Sequence, residues 1–339
     1  MNRQRNEMLT LLTVGAGIWA TWAALRPKRG YNLRDKVVLI TGGSRGLGLA
    51  LARAFAHEGV RIAICGRDPD TLERAYRELV AFHSHTLAIP CDVTNQQQVS
   101  RLISTIYRHW QRIDVVVNNA GAITVGPMEV MTHADYEEAM NLHFWAPLYT
   151  TLAVLPDMRR RGEGRIVNIA SIGGKLSVPH LLPYCASKFA LVGLSEGLRT
   201  ELVRDGIHVT TVCPGLMRTG SPQNAQFKGR HQAEYAWFSI SDSLPFLSMD
   251  AQRAARQIVR ACKQGSAEVI LSLPAQLAVT FHGLFPELTT SILAAANQLL
   301  PAPGGIGIAR VTGKESTSTL SPSLLTTLGE RAVQQFNQG

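Results

Sequence analysis

Residues 36–48 read Lys36-Val37-Val38-Leu39-Ile40-Thr41-Gly42-Gly43-Ser44-Arg45-Gly46-Leu47-Gly48. A short apolar run, largely β-branched, leads into a glycine-rich turn, and beyond it Leu47, Ala50, Leu51, Ala54 and Phe55 recur at helical spacing. Strand, glycine turn and helix in that order form the phosphate-binding unit of a doubly wound sheet, because backbone amides and the positive end of the helix face an anionic pyrophosphate. The fold expected is α/β, a Rossmann-like parallel sheet in a single catalytic domain over residues 34–273.

Reading outward, a second apolar strand, Arg61-Ile62-Ala63-Ile64-Cys65, ends about twenty residues past the glycines, where such a fold selects the adenosine ribose. A carboxylate there would accept the ribose hydroxyls of NAD and repel a 2′-phosphate. Gly66-Arg67 stands there instead, and with Arg45 inside the turn two guanidinium groups can converge on the extra phosphate of NADP. NADP (NADPH) is therefore expected in preference to NAD. The competing reading has Arg67 capping a surface turn and Asp68 taking the ribose. Thr86–Pro90 reads as the third strand, followed by Cys91-Asp92-Val93, and Ile113–Val117 as the fourth, followed by Asn118-Asn119-Ala120-Gly121.

Further along, Tyr184-Cys185-Ala186-Ser187-Lys188 puts a phenol and an ammonium four residues apart, on one face of a helix. A free tyrosine, with a pKa of about 10, is a reluctant acid–base catalyst at neutral pH. Lys188 can tune it, and Pro183 at the first helical position would put Tyr184 where the helix dipole also favours a phenolate. Taken alone, the pattern arises often by chance and more commonly marks an ordinary helix surface.

Together these motifs resemble the short-chain dehydrogenase/reductase family in its common short form, with T-G-x-x-x-G-x-G at Thr41–Gly48, N-N-A-G at Asn118–Gly121 and Y-x-x-x-K at Tyr184–Lys188. Ser171, which ends a fifth strand over Gly164–Ala170, precedes Tyr184 by thirteen residues, the family's usual interval. The resemblance implies a catalytic set of Asn141, Ser171, Tyr184 and Lys188. Tyr184 would protonate the carbonyl oxygen, Ser171 would hold that oxygen, and Lys188 would lower the tyrosine pKa and bind the nicotinamide ribose. Asn141 would hold a water linking Lys188 to solvent. It also implies cofactor contacts from Gly42, Ser44, Arg45, Gly46, Leu47, Gly48 and Arg67, with Asp92 and Val93 against the adenine. Asn118, Ala120 and Gly121 would lie beside the cofactor. After the sixth strand, Ile207–Val212, the family's P-G-x-x-x-T pattern falls on Pro214, Gly215 and Thr219, at the nicotinamide and pyrophosphate.

Composition sets the outer limits. The chain has 339 residues, 45% of them hydrophobic, and a formal charge of +9 with a pI near 9.6. Its basic residues are scattered, apart from short clusters at Arg26–Arg29 and Arg159–Arg161, which argues against nucleic acid and for acidic cofactors or anionic membrane surfaces. Five cysteines with no C-x-x-C pair read as thiols, and no His/Cys/Asp/Glu spacing suggests a metal. His143 and His208 read as packing or surface residues.

Both ends carry apolar additions. Met8–Leu25 runs eighteen residues without a charge, roughly 27 Å of helix, near the lower limit for crossing a bilayer. Its exit is poor for signal cleavage, and Trp19 and Trp22 suit an interface, so residues 1–30 are expected to anchor the chain to a membrane with the large domain on the cytoplasmic side. Ser221–Ser248, the segment that closes over substrate in the family, carries Phe227, Tyr235, Trp237, Phe238 and Phe246, which fits either an apolar ketone or alcohol or plain packing. Residues 274–303 hold one charge, Glu287, with apolar residues at helical spacing. They suit a helix packed on the domain or a partner, or one lying on a membrane. Residues 304–339 are Gly/Ser/Thr-rich and expected to be loose, with a short helix possible over 324–336. The expected activity is hydride transfer between NADP and an apolar ketone or secondary alcohol, in a homodimer or homotetramer. The rivals are a nucleotide-sensing or apolar-ligand-binding protein that keeps the fold without turnover.

Overall fold

The computed structural model describes residues 30–318, 321, 323 and 326–339; the expected anchor at Met8–Leu25 lies outside them. Among the described residues no helix is long and apolar enough to cross a membrane. Seven parallel strands form the central sheet: β1 (Val37–Thr41), β2 (Arg61–Gly66), β3 (Thr86–Pro90), β4 (Val115–Asn118), β5 (Gly164–Ile169), β6 (Ile207–Pro214) and β7 (Glu268–Leu271), in the order β7-β6-β5-β4-β1-β2-β3. Strands β1, β4 and β5 are buried along their whole length; β1 and the valines of β4 therefore read as apolar runs that do not alternate, whereas β5 also buries Arg165 and Asn168.

Helices α1 (Gly46–Ala56), α2 (Pro69–Val80), α3 (Gln96–Trp110), α4 (His133–Met140), α5 (Ala146–Arg161) and α6 (Leu182–Leu202) connect the first six strands. Then come α7 (His231–Ser243), α8 (Ala251–Gln264), α9 (Leu273–Leu284), α10 (Pro286–Asn297) and α11 (Thr327–Gln335). One face of the sheet packs on α1 and α8 through Leu49, Phe55, Ile258 and Cys262; the other packs on α3 and α5 through Leu102, Ile106, Val154 and Met158. The sheet order reverses between β1 and β4, so their carboxyl ends open a crevice, the place where open α/β sheets bind ligands.

The two additions after β7 depart from expectation. Residues 273–297 form two helices, because Pro286 lacks the amide a continuing helix needs and starts α10 afresh. Neither packs closely on the domain: in this hairpin only Ala275 and Thr289 are buried. The stretch expected to be loose is packed instead. Val311–Thr312 adds a strand to Gln226–Phe227, which also pairs with Thr124–Val125, and α11 buries Ala332 and Val333 with Phe336 just beyond. Composition hid this, since a few apolar side chains at helical spacing outweigh a polar average.

Candidate active site

The glycine turn between β1 and α1 is shaped by close approach. Gly42 holds φ at 62°, and a Cβ there would stand 2.9 Å from the Cα of Ala120. A Cβ on Gly48 would meet the Gly42 carbonyl oxygen at 2.0 Å, so helix and strand can pack this tightly only with glycine. The segment after β4 is laced to the same turn. Thr41 Oγ1 accepts from the amides of Asn119 (3.0 Å) and Ala120 (3.1 Å), and Asn119 Nδ2 donates to the carbonyls of Thr41 and Gly42. Arg45 is the N-cap of α1 without a side-chain cap, and the first turn has no acid, so the amide donors at this helix end are fitted to an anion. A dinucleotide pyrophosphate fits this cradle.

Asn118, buried in β4, does not face the crevice with free donors. Its Oδ1 accepts from Thr150 Oγ1 (2.5 Å) and its Nδ2 donates to Asn168 (2.8 Å), which continues to Ser195 and Thr211, a polar ladder through the core. At the ribose end, the Asp68 carboxyl caps α2 by accepting from the Thr71 amide at 2.7 Å. Arg67 lies close enough that, after desolvation, its like charge is the next cause lowering the Arg45 pKa. Asp92 accepts from the Thr94 amide and hydroxyl, with Val93 buried beside it. Pro214 ends β6, Gly215 lies against Ser272 and Ala275, and the buried Thr219 stands near Gly46.

Across the crevice, Ser171 follows β5 and hydrogen-bonds the Tyr184 hydroxyl, while its Oγ accepts from the Gly173 amide at 3.0 Å. Leu182 opens α6 one residue earlier than expected, which leaves Tyr184 in the first turn. Lys188, one turn on, is buried and donates from Nζ to the Ile169 carbonyl at 2.8 Å, with Nζ 5.6 Å from the Tyr184 ring centre. The expected lowering of the tyrosine pKa is absent from this arrangement. Burial pushes the phenol up to about 12, against the Ser171 hydrogen bond, and burial brings the lysine down to about 7. The lysine is spent on the Ile169 carbonyl, so Tyr184 rests as a protonated donor.

Asn141 makes no side-chain hydrogen bond to Ser171, Tyr184 or Lys188 among the described residues. It is exposed, at the start of a π-helical turn, Asn141–Trp145, where the Ala146 amide donates to the Asn141 carbonyl. Two residues on, His143 is buried and sits edge-on to Tyr184 with ring centres 5.3 Å apart. Its Nε2 is 3.3 Å from the Ala122 amide and its Nδ1 2.8 Å from Ser187 Oγ, which donates to the Tyr184 carbonyl. Sequence offered His143 only as a packing or surface residue; here it is buried and packs on Tyr184. Its one signal was its place beside Asn141 in a helix that leads to the site.

A lid covers the tyrosine. Phe227, Tyr235 and Phe238 stack edge-on, and with Leu181, Cys185 and Ala225 they form an apolar cluster against which Tyr184 and Trp237 pack. Phe246 points away, 90% exposed. The lid is tied down by polar contacts: Lys228 Nζ to Asp135 at 2.6 Å, both buried, and a Glu234 carboxyl, wholly buried, that faces His180 Nδ1 (2.8 Å) and accepts from Trp237 Nε1 (2.6 Å).

A parallel α/β sheet with a phosphate cradle on one side of its crevice, and a serine, tyrosine and buried lysine on the other, defines an NAD(P)-dependent dehydrogenase or reductase. Residues 36–228 match the short chain dehydrogenase family, and the chain belongs to the short-chain dehydrogenase/reductases. It is 32% identical over 278 residues to dehydrogenase/reductase SDR family member 7B of Danio rerio, covering 80% of this chain and 88% of that protein. It is 33% identical over 271 residues to the ketoacyl reductase HetN of Nostoc sp., covering 80% and 87%. A short-chain dehydrogenase from Streptomyces avermitilis superposes with a TM-score of 0.67 at 32% identity, over 78% of this chain and 98% of that one. L-sorbose reductase from Gluconobacter frateurii, complexed with NADPH and L-sorbose, does so with a TM-score of 0.62 at 26% identity, over 71% and 96%.

Proposed function

We propose that this protein transfers hydride between NADP and an apolar ketone or secondary alcohol, with Tyr184 as the acid–base group. The observation that carries the reading is the hydrogen-bonded Ser171–Tyr184 pair with Lys188 buried beside it. The nicotinamide, when bound, supplies or accepts the hydride. In reduction the protonated Tyr184 hydroxyl donates its proton to the carbonyl oxygen as charge develops there, and Ser171 Oγ holds that oxygen in place. Lys188, with its pKa near 7, can hold or release a proton at neutral pH beside the phenol. Purified Tyr184→Phe is expected to bind NADPH normally and lose turnover; undiminished NADPH consumption would sink the mechanism. The rival, a nucleotide sensor without turnover, gains if a broad panel of ketones and alcohols gives no consumption with either cofactor.

Two features support NADP over NAD. Arg45 and Arg67 stand near each other at the ribose end, and the Asp68 carboxylate is committed to capping α2. The Gluconobacter reductase was solved with NADPH. Replacing Arg67 by Ala removes a charge-assisted contact of about 1.5–3 kcal/mol, so NADPH should bind roughly tenfold to a hundredfold more weakly while NADH is unaffected. Equal losses for both cofactors in fluorescence titrations would count against the assignment. The apolar cluster against Tyr184 supports an apolar substrate, although the relatives include both ketoacyl reductases and a sorbose reductase.

We also infer that the domain works at an anionic membrane surface. The α9–α10 hairpin presents Leu277, Leu284, Phe285, Leu288 and Ile292 to the outside. On α8, which precedes β7 and the hairpin in the chain, Arg253, Arg256 and Arg260 are exposed at helical spacing, and Tyr31, next to the first described residue, is bonded to the end of that helix at Lys263. An apolar surface together with exposed arginines on the same domain is the pairing that anionic lipid favours.

A further inference from the structure

The nucleotide cradle is already engaged by the chain itself. The Phe336 carbonyl accepts from the Gly46 amide, the first of α1, at 2.8 Å. Asn337 Nδ2 donates to the carbonyls of Ser44 and Thr71, both at 2.9 Å, and Asn337 Oδ1 accepts from Arg74 Nε at 2.8 Å. The main-chain and side-chain oxygens of Gln338 accept from Asn224 Nδ2 at 2.9 and 2.8 Å, and Asn224 Oδ1 accepts from Arg45. A Cβ on Gly46 would stand 2.6 Å from Gln338 Nε2 and 3.9 Å from Thr219. In a dinucleotide turn this second glycine is open so that the backbone can approach the pyrophosphate. Here a glutamine amide fills that opening.

The path matters as much as the point of contact. From Gly46 the segment passes Ser44 and reaches Thr71 and Arg74 in the first turns of α2, the course from pyrophosphate to adenosine ribose. It is firmly held: Phe336 is wholly buried against α1 with the Arg53 guanidinium 5.5 Å from its ring centre, and the Gln338 amide donates to the Val333 carbonyl at 2.9 Å. Yet it offers neutral carbonyls and amides to a helix end that prefers an anion, so a diphosphate, with charged oxygens, makes the stronger partner. The other end of the device touches the lid. A Cβ on Gly220 would meet Val333 at 2.8 Å, and one on Gly329 would meet Ser243 of α7 at 2.6 Å.

We propose that residues 336–339 are an intramolecular strap that occupies the cofactor cradle and must leave before a dinucleotide binds. This rests on the dinucleotide reading above. A strap closed nine-tenths of the time weakens apparent affinity about tenfold.

The test compares the 339-residue chain with one ending at Gln335, which removes the Phe336 carbonyl from the Gly46 amide without leaving a carboxylate there, and with Gln338→Ala in the full chain, which carries the test if the shorter chain fails to fold. NADPH is titrated by its fluorescence. Binding about tenfold tighter in the shortened chain, and tighter by a smaller factor in Gln338→Ala, is expected. In the full chain, saturating NADPH should speed amide hydrogen exchange across residues 333–339. Equal or weaker binding by the altered chains, or exchange that saturation leaves unchanged, overturns the strap alone. Binding of neither NADPH nor NADH by any form overturns the dinucleotide reading and the strap with it.

Discussion

Burial, and after it the charge of Lys188, hold the His143 imidazole well below the ordinary histidine range, so the ring stays neutral at working pH. Its partners then fix the tautomer: Nε2 accepts from the Ala122 amide, which leaves Nδ1 to donate to Ser187 Oγ. Replacing His143 by Leu strands both partners and should cost about 2 kcal/mol or more in denaturant unfolding. No activity step near pH 6.5 should trace to this ring, and a step there that vanishes in the variant would contradict its neutrality. Lys188 gives the second prediction at this scale. Its folded pKa, about 7, lies below its unfolded value of 10.5, so between those limits the unfolded chain holds the extra proton and stability climbs with pH. The slope is at most about 1.4 kcal/mol per pH unit, and it vanishes below pH 7, where both states are protonated. Lys188→Met should flatten the rise, as unfolding free energies at pH 7, 8 and 9 would show. Ser171, Tyr184 and Lys188 were legible in sequence because their spacing lies within one strand end and one helix. Asn141 starts a π turn, which advances the helix face by a residue, so the facing of the residues after it cannot be read from spacing alone.

Among the elements, the lid helix α7 hangs on Glu234. Its carboxyl, buried at the base of the helix, faces His180 in the loop before α6 and accepts from Trp237 on its own next turn, so it couples the lid to the loop that presents Tyr184. Glu234→Gln preserves shape but weakens hydrogen bonds worth about 1–3 kcal/mol. Faster amide exchange across residues 231–243 and a raised KM are expected, with the sheet's exchange unchanged; a lid as protected as before would show that the apolar cluster alone holds it. None of this was legible from sequence. The sheet strands announce themselves as apolar runs between turns, as Val37–Ile40 and Val115–Val117 do, since each element's pattern is local. Glu234 and His180 are fifty-four residues apart, and nothing local marks them as partners. The strand at Val311–Thr312 was hidden for the same reason: it is two residues long and exists only because Gln226–Phe227 lies alongside.

At the scale of the whole molecule the described surface is lopsided. The edge of the sheet at β3 ends in an ordinary amphipathic helix, α2, whereas β7 at the other edge leads into a hairpin whose large side chains face outward, and α8, packed on α1, adds exposed arginines. Leu277 and Leu288 are 61% and 51% exposed, one on each helix, so replacing both by Glu should leave the fold intact. The domain should be tested as a chain starting at Gly30, ahead of the family match at residue 36, so that the apolar run at Met8–Leu25 cannot supply binding of its own. Co-sedimentation with vesicles containing phosphatidylserine should fall more than about tenfold in the double variant, since each apolar side chain withdrawn from lipid forfeits about 1.5–3 kcal/mol and each glutamate adds repulsion. Salt separates the two contributions. If the α8 arginines contribute about 1 kcal/mol each, raising ionic strength should weaken binding of the unaltered domain while the loss caused by the glutamates persists. Binding that is equal for both forms on anionic vesicles would place the hairpin against a protein and leave any membrane attachment to residues 1–29.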